Sequence, residues 1–236
     1  MLKEDSVKEE AELSPEESRD FQQGYCEKKD PPDTSPLAKH EGFHWLFSDE
    51  FLEKEKDLPL ILDIGAGMGR FLMAEAEKTP EARWIGVDPD YQCVKKNLTK
   101  LANRERRGVA LEHVRFYYGS IYQFLLQCPA QSVDKAYINY PDPWFKRRHL
   151  KRRLVTQRLF DTLKAALKPG ADIYVQTDID DYAKNIDMEL ENLSSYQIKY
   201  QAHALFEGLT TTLYQEKAHR KNHSRHCYHL KFVEKS

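Results

Sequence analysis

The sequence predicts an α/β fold, a mostly parallel sheet with helices on both faces, and three observations predict it. Short aliphatic runs alternate with amphipathic stretches between Leu58 and Val233. The first run turns into its helix through the glycine-rich stretch Leu62-Asp-Ile-Gly-Ala-Gly-Met-Gly69. The second run, Ile85-Gly-Val-Asp88, ends in an acid. Strand-helix alternation makes successive strands parallel, because the intervening helix carries the chain back to the edge where the previous strand began.

Each element follows from its own pattern. Leu58 to Ile64 is a short aliphatic strand ending in glycines, and Arg70 to Lys78 reads as a helix stopped by Pro80. Arg83 to Val87 is a second strand, and Tyr91 to Arg106 a long amphipathic helix. His113 to Tyr118, Ile121 to Leu126 and Val133 to Asn139 read as strand, short helix and strand. Leu154 to Leu167 is expected to be a helix closed by Lys168-Pro-Gly170, with a strand over Ala171 to Gln176. A helix over Tyr182 to Leu190 and strands near Gln197 to His203 and Tyr228 to Val233 complete the sheet.

A chain of 236 residues with 40% hydrophobic residues suffices for one medium domain and an appendage. The appendage is expected at residues 1–34, which hold 11 acidic and 5 basic residues and few apolar ones, a composition of disordered tails. The catalytic domain is then 35–236, entered by a helix between Pro36 and Lys56 whose apolar positions partly follow helical spacing. The tail has net charge -6 against -2 for the whole chain, so the remainder carries +4. A near-neutral total is therefore compatible with a polyanionic partner. Apolar runs such as Leu58-Pro-Leu-Ile-Leu62 fall far short of the roughly 20 residues a bilayer span needs. The charged start lacks the apolar centre of a signal peptide, so a cytoplasmic protein is expected. Cys26, Cys93, Cys128 and Cys227 are scattered and read as reduced thiols.

Gly65, Gly67 and Gly69 occupy the strand-to-helix turn where open α/β sheets bind nucleotide-like ligands, and they let backbone approach a ligand closely. A tight turn without a ligand would also account for them. Asp88 narrows the choice, since an acid ending the second strand accepts hydrogen bonds from ribose hydroxyls. Both dinucleotide enzymes and S-adenosylmethionine enzymes place an acid there. Asp63 favours the methyl donor, because its carboxylate would hold the ammonium group or waters around the methionine part; a helix-facing cap is its structural alternative.

The most informative stretch is Asn139-Tyr-Pro-Asp-Pro-Trp-Phe-Lys-Arg-Arg-His-Leu-Lys-Arg-Arg-Leu154. Pro141 and Pro143 restrict the backbone on both sides of Asp142, which holds this acid on a stiff loop at the carboxyl edge of the sheet. A fixed carboxylate beside Trp144 or Tyr140 suits a flat base with donors on its edge, as guanine has at N1 and its 2-amino group. Lys146, Arg147, Arg148, Lys151, Arg152 and Arg153 follow at once, where the phosphates of a nucleic-acid substrate must pass. Full neutralisation by all six implies a log affinity against log salt slope of roughly -4 to -5. Asp178 ends the fifth strand at the same edge, beside Thr177, and either residue would also serve as a helix cap. The stretch Thr210-Thr-Thr-Leu-Tyr-Gln-Glu-Lys217 is a returning loop whose hydroxyls and amides would close over donor or base.

Gly65-Ala-Gly-Met-Gly69, Gly86-Val-Asp88, Pro141-Asp-Pro-Trp144 with its basic extension, Thr177-Asp178 and Thr212-Leu-Tyr214 together resemble the tRNA (guanine-N7-)-methyltransferase family. The resemblance spans roughly residues 40–233, and Pro-Asp-Pro-Trp with its cations is its most specific part. It implies a Rossmann-like, seven-stranded methyltransferase fold, S-adenosylmethionine as cofactor with S-adenosylhomocysteine as product, and methylation of guanosine 46 in the variable loop of tRNA. By that resemblance Asp63, Asp88 and Ser120 take donor-binding positions, and Asp142 the catalytic, donor-adjacent one. Lys146, Asp178 and the segment from Thr212 to Gln215 take substrate positions. The family usually has Glu in place of Asp63 and Asp88, Asp in place of Ser120, Glu in place of Gln215 and Pro in place of Phe145.

Guanine N7 offers an in-plane lone pair and no proton, so the chemistry asks for positioning and charge stabilisation rather than a base at the nucleophile. Two rivals share the sequence features. One methylates an exocyclic base nitrogen, although that chemistry wants a proline pair directly after Asn or Asp. The other is a non-catalytic RNA-binding subunit with a decayed donor site, suggested by Ser120 and Gln215. His219, His223, His226, Cys227 and His229 crowd one segment, but without a second ligand pair elsewhere they read as a basic loop and final strand; no metal is expected. The resemblance implies tRNA as the partner, and a monomer or homodimer without membrane association is expected.

Overall fold

β1, Leu60–Ile64, is buried along its whole length, the mark of a central strand covered on both faces. The structure, a computed structural model, describes residues 57–191, 193–202, 209–210 and 225–233. The acidic tail and the helix expected over Pro36–Lys56 lie outside those residues. After β1 come α1 (Arg70–Lys78), β2 (Arg83–Asp88), α2 (Tyr91–Glu105), β3 (Val114–Tyr118), α3 (Ile121–Leu125) and β4 (Val133–Asn139). A 3-10 helix over Arg147–Arg152 precedes α4 (Gln157–Leu163), β5 (Leu167–Thr177), α5 (Asp180–Glu191), β6 (Tyr196–Ala202) and β7 (His226–Phe232).

Among the described residues seven strands form one sheet in the order β3-β2-β1-β4-β5-β7-β6. Of these, β7 alone runs antiparallel, between β5 and β6. The alternation of side chains divides the core in two. Leu60, Leu62, Val87, Ile138 and Val175 pack with Leu159, Phe160 and Leu163 of α4 and Tyr182, Ile186 and Leu190 of α5. On the opposite face Ile61, Trp84, Phe116 and Tyr137 pack with Phe71, Leu72 and Ala76 of α1 and Val94 and Leu98 of α2. There the Trp84, Tyr137, Tyr174 and His229 rings run in succession across the sheet, with centroids 6.0, 5.1 and 4.7 Å apart. The strand order reverses direction between β1 and β4, and open α/β sheets bind their ligands at the carboxyl ends of the strands beside such a switch.

One expected helix is shorter than its sequence pattern. Thr156 caps α4 by accepting from the Leu159 amide, and the helix stops at Leu163. β5 already begins at Leu167, so Lys168-Pro-Gly170 lies inside the strand instead of closing a helix. Tertiary pairing decides this, since the amides of Gln131, Ser132 and Val133 take the carbonyls of Ala165 and Ala166. Val133 faces Leu167 but Lys135 faces Asp172, a register shift that absorbs the extra residues as a bulge.

Candidate active site

The glycine turn is built to be held from behind. Gly65, Gly67 and Gly69 all have positive φ, at 79°, 50° and 64°. At Gly69 the requirement is also steric, because a β-carbon would lie 2.9 Å from Asn97 and from the Phe116 ring. Asn97 on α2 is fully buried and donates from Nδ2 to the Gly67 carbonyl at 2.8 Å. Lys100, one turn on, donates to the Met68 carbonyl. From the front the Asp88 carboxylate accepts from the Gly67 amide at 2.7 Å and from the Asp90 amide at 2.8 Å. Asp88 therefore shapes the turn directly.

Three strand ends bring acids together there. Asp63 is 2% exposed, and burial, reinforced by the charge of Asp88 and offset by the Asn139 amide, pushes its carboxyl up to about 7. It has no cationic partner among the described residues. Asp88 is also raised, by burial first, with the Asp90 and Gly67 amides opposing and the charges of Asp90 and Asp142 adding. Asp142, exposed on its loop, is thus within electrostatic reach of Asp88. Ser120 follows β3 beside them, but its hydroxyl caps α3: it accepts from the Gln123 amide and donates to Gln123 Oε1, both at 3.2 Å. Part of the hydrogen-bonding capacity expected to serve a donor is spent inside the chain.

The loop carrying Asp142 is strained on both sides. Tyr140 and Trp144 have φ of 53° and 45°, the left-handed region that costs a non-glycine residue about 1–3 kcal/mol and persists where the surroundings enforce it. The Tyr140 amide donates to the Gln176 carbonyl at 2.8 Å. Trp144 is held by Arg152, 5.1 Å from its ring centroid, and by an edge contact with His149 at 5.6 Å. Lys146, Arg147, Arg148, Lys151 and Arg152 are exposed beyond it, whereas Arg153 is half-buried. The Arg153 Nε donates to the Pro143 carbonyl at 2.9 Å and Nη1 to Asn185 Oδ1 at 3.0 Å. Asp178, half-buried at the end of β5, contributes with burial and Cys227 to raising the Tyr140 hydroxyl, which puts it on the same rim. Thr177 accepts from the Ile179 amide at 3.3 Å, in a turn just before α5.

Residues 57–228 match Methyltransf_4, a methyltransferase family. A tRNA (guanine-N(7)-)-methyltransferase of Paracoccus denitrificans is 33% identical over 170 residues, 72% of this chain and 70% of its own length. The one from Roseobacter denitrificans is 34% identical over 181 residues, 74% and 73% of the two chains. The chain belongs to the tRNA (guanine-N(7)-)-methyltransferase family. A further relative of the same name, from Syntrophotalea carbinolica, is 34% identical over 139 residues, 59% of this chain and 58% of its own length. Among solved structures, the 16S rRNA methyltransferase KamB superposes with TM-score 0.60 at 14% identity, covering 81% of this chain and 96% of that one. The 16S rRNA (adenine(1408)-N(1))-methyltransferase from Catenulisporales acidiphilia gives 0.56 at 16% identity, covering 80% and 94%. These two establish the Rossmann-like methyltransferase fold.

For this member of the tRNA (guanine-N(7)-)-methyltransferase family, the structure also places side chains that the motifs did not flag. Asn139 and Gln176 face each other across β4 and β5. Oδ1 of Asn139 and Oε1 of Gln176 are buried without a hydrogen bond among the described residues, while the Asn139 amide group faces the raised Asp63. Such orphaned groups cost about 1–3 kcal/mol each unless something fills the space. Asn97 carries a sequence signal, a polar residue at helical spacing between Val94 and Leu101. Asn139 and Gln176 carry none, since a polar residue at a strand end is ordinary. The Thr210 amide donates to buried Glu75 of α1 at 2.7 Å, which sets the start of the returning loop; Thr212 and Gln215 lie outside the described residues. So do His219 and His223, while His226 and His229 pair with Asp180 and Asp172 at 2.8 and 2.7 Å.

Proposed function

We propose that this protein transfers a methyl group from S-adenosylmethionine to N7 of guanosine in tRNA, at position 46 of the variable loop. The observation that carries the reading is the convergence of the glycine turn, buried Asp63 and Asp88, and the Asp142 loop at one strand edge, with exposed cations leading away from it. The family to which the chain belongs supports the same substrate. The cofactor fits the residues present. Asp63 is a buried acid lacking a cation among the described residues, matched to the donor's ammonium group, and Asn139, whose amide group faces it, keeps a buried Oδ1 without a hydrogen bond among the described residues. Asp88 takes the ribose hydroxyls with its free lone pairs, and Ser120 stands at the adenine end.

S-adenosylmethionine supplies, when bound, a methyl group made electrophilic by positive sulfur. The chain contributes placement. Asp142 accepts hydrogen bonds from guanine N1-H or the 2-amino group and stabilises the positive charge that grows on the ring as N7 is alkylated. Lys146, Arg147, Arg148, Lys151 and Arg152 hold the RNA backbone, and Asp178 with Thr212 and Gln215 completes the substrate rim. The catalytic domain is 35–236 with an acidic tail before it, and the enzyme works in the cytoplasm as a monomer or homodimer without a metal. Incubation with methyl-labelled donor and unmodified tRNA transcript, then nuclease digestion and mass spectrometry, tests this. N7-methylguanosine at position 46 is expected. Label on an exocyclic nitrogen, or none at all, overturns it.

A further inference from the structure

The six cations of residues 146–153 do not share one environment. Five are exposed, and the sixth, Arg153, turns inward. Its guanidinium makes three contacts at once: the Pro143 carbonyl at 2.9 Å, Asn185 Oδ1 at 3.0 Å, and the face of Tyr182, 4.8 Å from the ring centroid. Tyr182 and Asn185 are three residues apart on α5 and so share a helix face. Tyr182 is itself fully buried, and its hydroxyl accepts from the Val155 amide at 3.1 Å.

What Arg153 grips is the residue directly after Asp142. Pro141 and Pro143 have no N–H, so two of the loop's backbone groups that would anchor it are missing. Tyr140 and Trp144 hold left-handed conformations on either side. A loop that is strained and short of donors keeps its shape only if other groups over-determine it. The Tyr140 amide secures one end to β5, and the Arg153 side chain secures the other to α5. We propose that Arg153 is a positioning residue that bolts the Asp142 loop to α5, and that it takes no part in holding RNA phosphates. This rests on the reading of Asp142 as the group that meets the guanine.

Arg153→Lys separates the two roles. Lysine keeps the charge that a phosphate needs but not the planar fork that reaches a carbonyl and an amide together while lying on a ring. The expected result is turnover at saturating tRNA reduced about 10- to 100-fold, since misplacement of about an ångström has that effect. KM for tRNA and the salt slope of tRNA binding should stay as in the wild type. Asn185→Ala removes the uncharged partner and should lower turnover in the same way, with the double variant little worse than Arg153→Lys. Hydrogen exchange over residues 140–146 should quicken in both variants without tRNA or donor, a readout of the clamp that survives even if the methyl acceptor proves to be another base. If Arg153→Lys does not fold, Asn185→Ala carries the test alone. Wild-type turnover and unchanged exchange in the variants, or a raised KM and shallower salt slope in Arg153→Ala that Lys restores, would overturn the clamp.

Discussion

Asp63 and Asp88 close neighbouring strands with two buried carboxyls, and the charge of Asp88 adds to the burial that lifts Asp63 to about 7. The folded chain therefore binds the Asp63 proton more tightly than the unfolded chain does. Unfolding free energy of the donor-free protein should fall as pH rises from about 4 to about 7 and level off above that. Asp88, raised as well, contributes with the same sign. Asp63→Asn should flatten the profile in denaturant titrations run from about pH 4.5 to about pH 8; an unchanged profile would count against a buried proton there. Donor affinity should move the opposite way, rising with pH up to about 7, because an ammonium group favours the ionised carboxyl.

Asp142 is exposed, so its replacement should leave stability within about 0.5 kcal/mol of wild type. Asp142→Ala should nevertheless lower turnover by about 100-fold or more, the scale on which a charge aimed at the transition state acts. Asp142→Asn keeps an acceptor without charge and should fall between. Single-turnover rates with saturating donor and tRNA measure this, and near-normal rates in Asp142→Ala would remove the proposed role.

Asn97→Ala leaves the Gly67 carbonyl without its buried donor and opens space behind the turn. A loss of about 1–3 kcal/mol is expected. Donor affinity should weaken while tRNA affinity holds, which calorimetric titration with each ligand distinguishes. Equal weakening of both would point to general unfolding instead.

Neutralising Lys146, Arg147, Arg148 or Lys151 should make the salt dependence of tRNA binding shallower, by roughly 0.7 to 0.9 for each phosphate left unneutralised, with melting temperature unchanged. Arg152 differs, since it also stacks on Trp144, and Arg152→Ala should alter Trp144 fluorescence besides the slope. Filter binding across a series of salt concentrations yields the slopes; values identical to wild type in every variant would place the RNA elsewhere.

The strand-helix alternation is legible because apolar period and glycine position are local properties. β1, β2 and α1 fall where Leu58–Ile64, Arg83–Val87 and Arg70–Lys78 place them. The span from Leu154 to Gly170 departs from its pattern for a physical reason: its residues suit a helix, but the carbonyls of Ala165 and Ala166 are claimed by the amides before β4. That competitor is more than thirty residues away in sequence. Ser120 takes a donor position by family resemblance, while its local use as a cap, with Gln123 three residues later, is equally written in the sequence and is the one the structure shows.

The sequence by itself determined the layer architecture, the glycine turn, the acid at the end of β2 and the position of Asp142 ahead of a cationic run, because each is written in adjacent residues. Only the tertiary structure decided which polar groups are left unsatisfied at the ends of β4 and β5 and which cation faces inward. Those outcomes depend on what Asn139, Gln176 and Arg153 meet from other strands and helices, and burial and hydrogen-bond partners are fixed by residues distant along the chain.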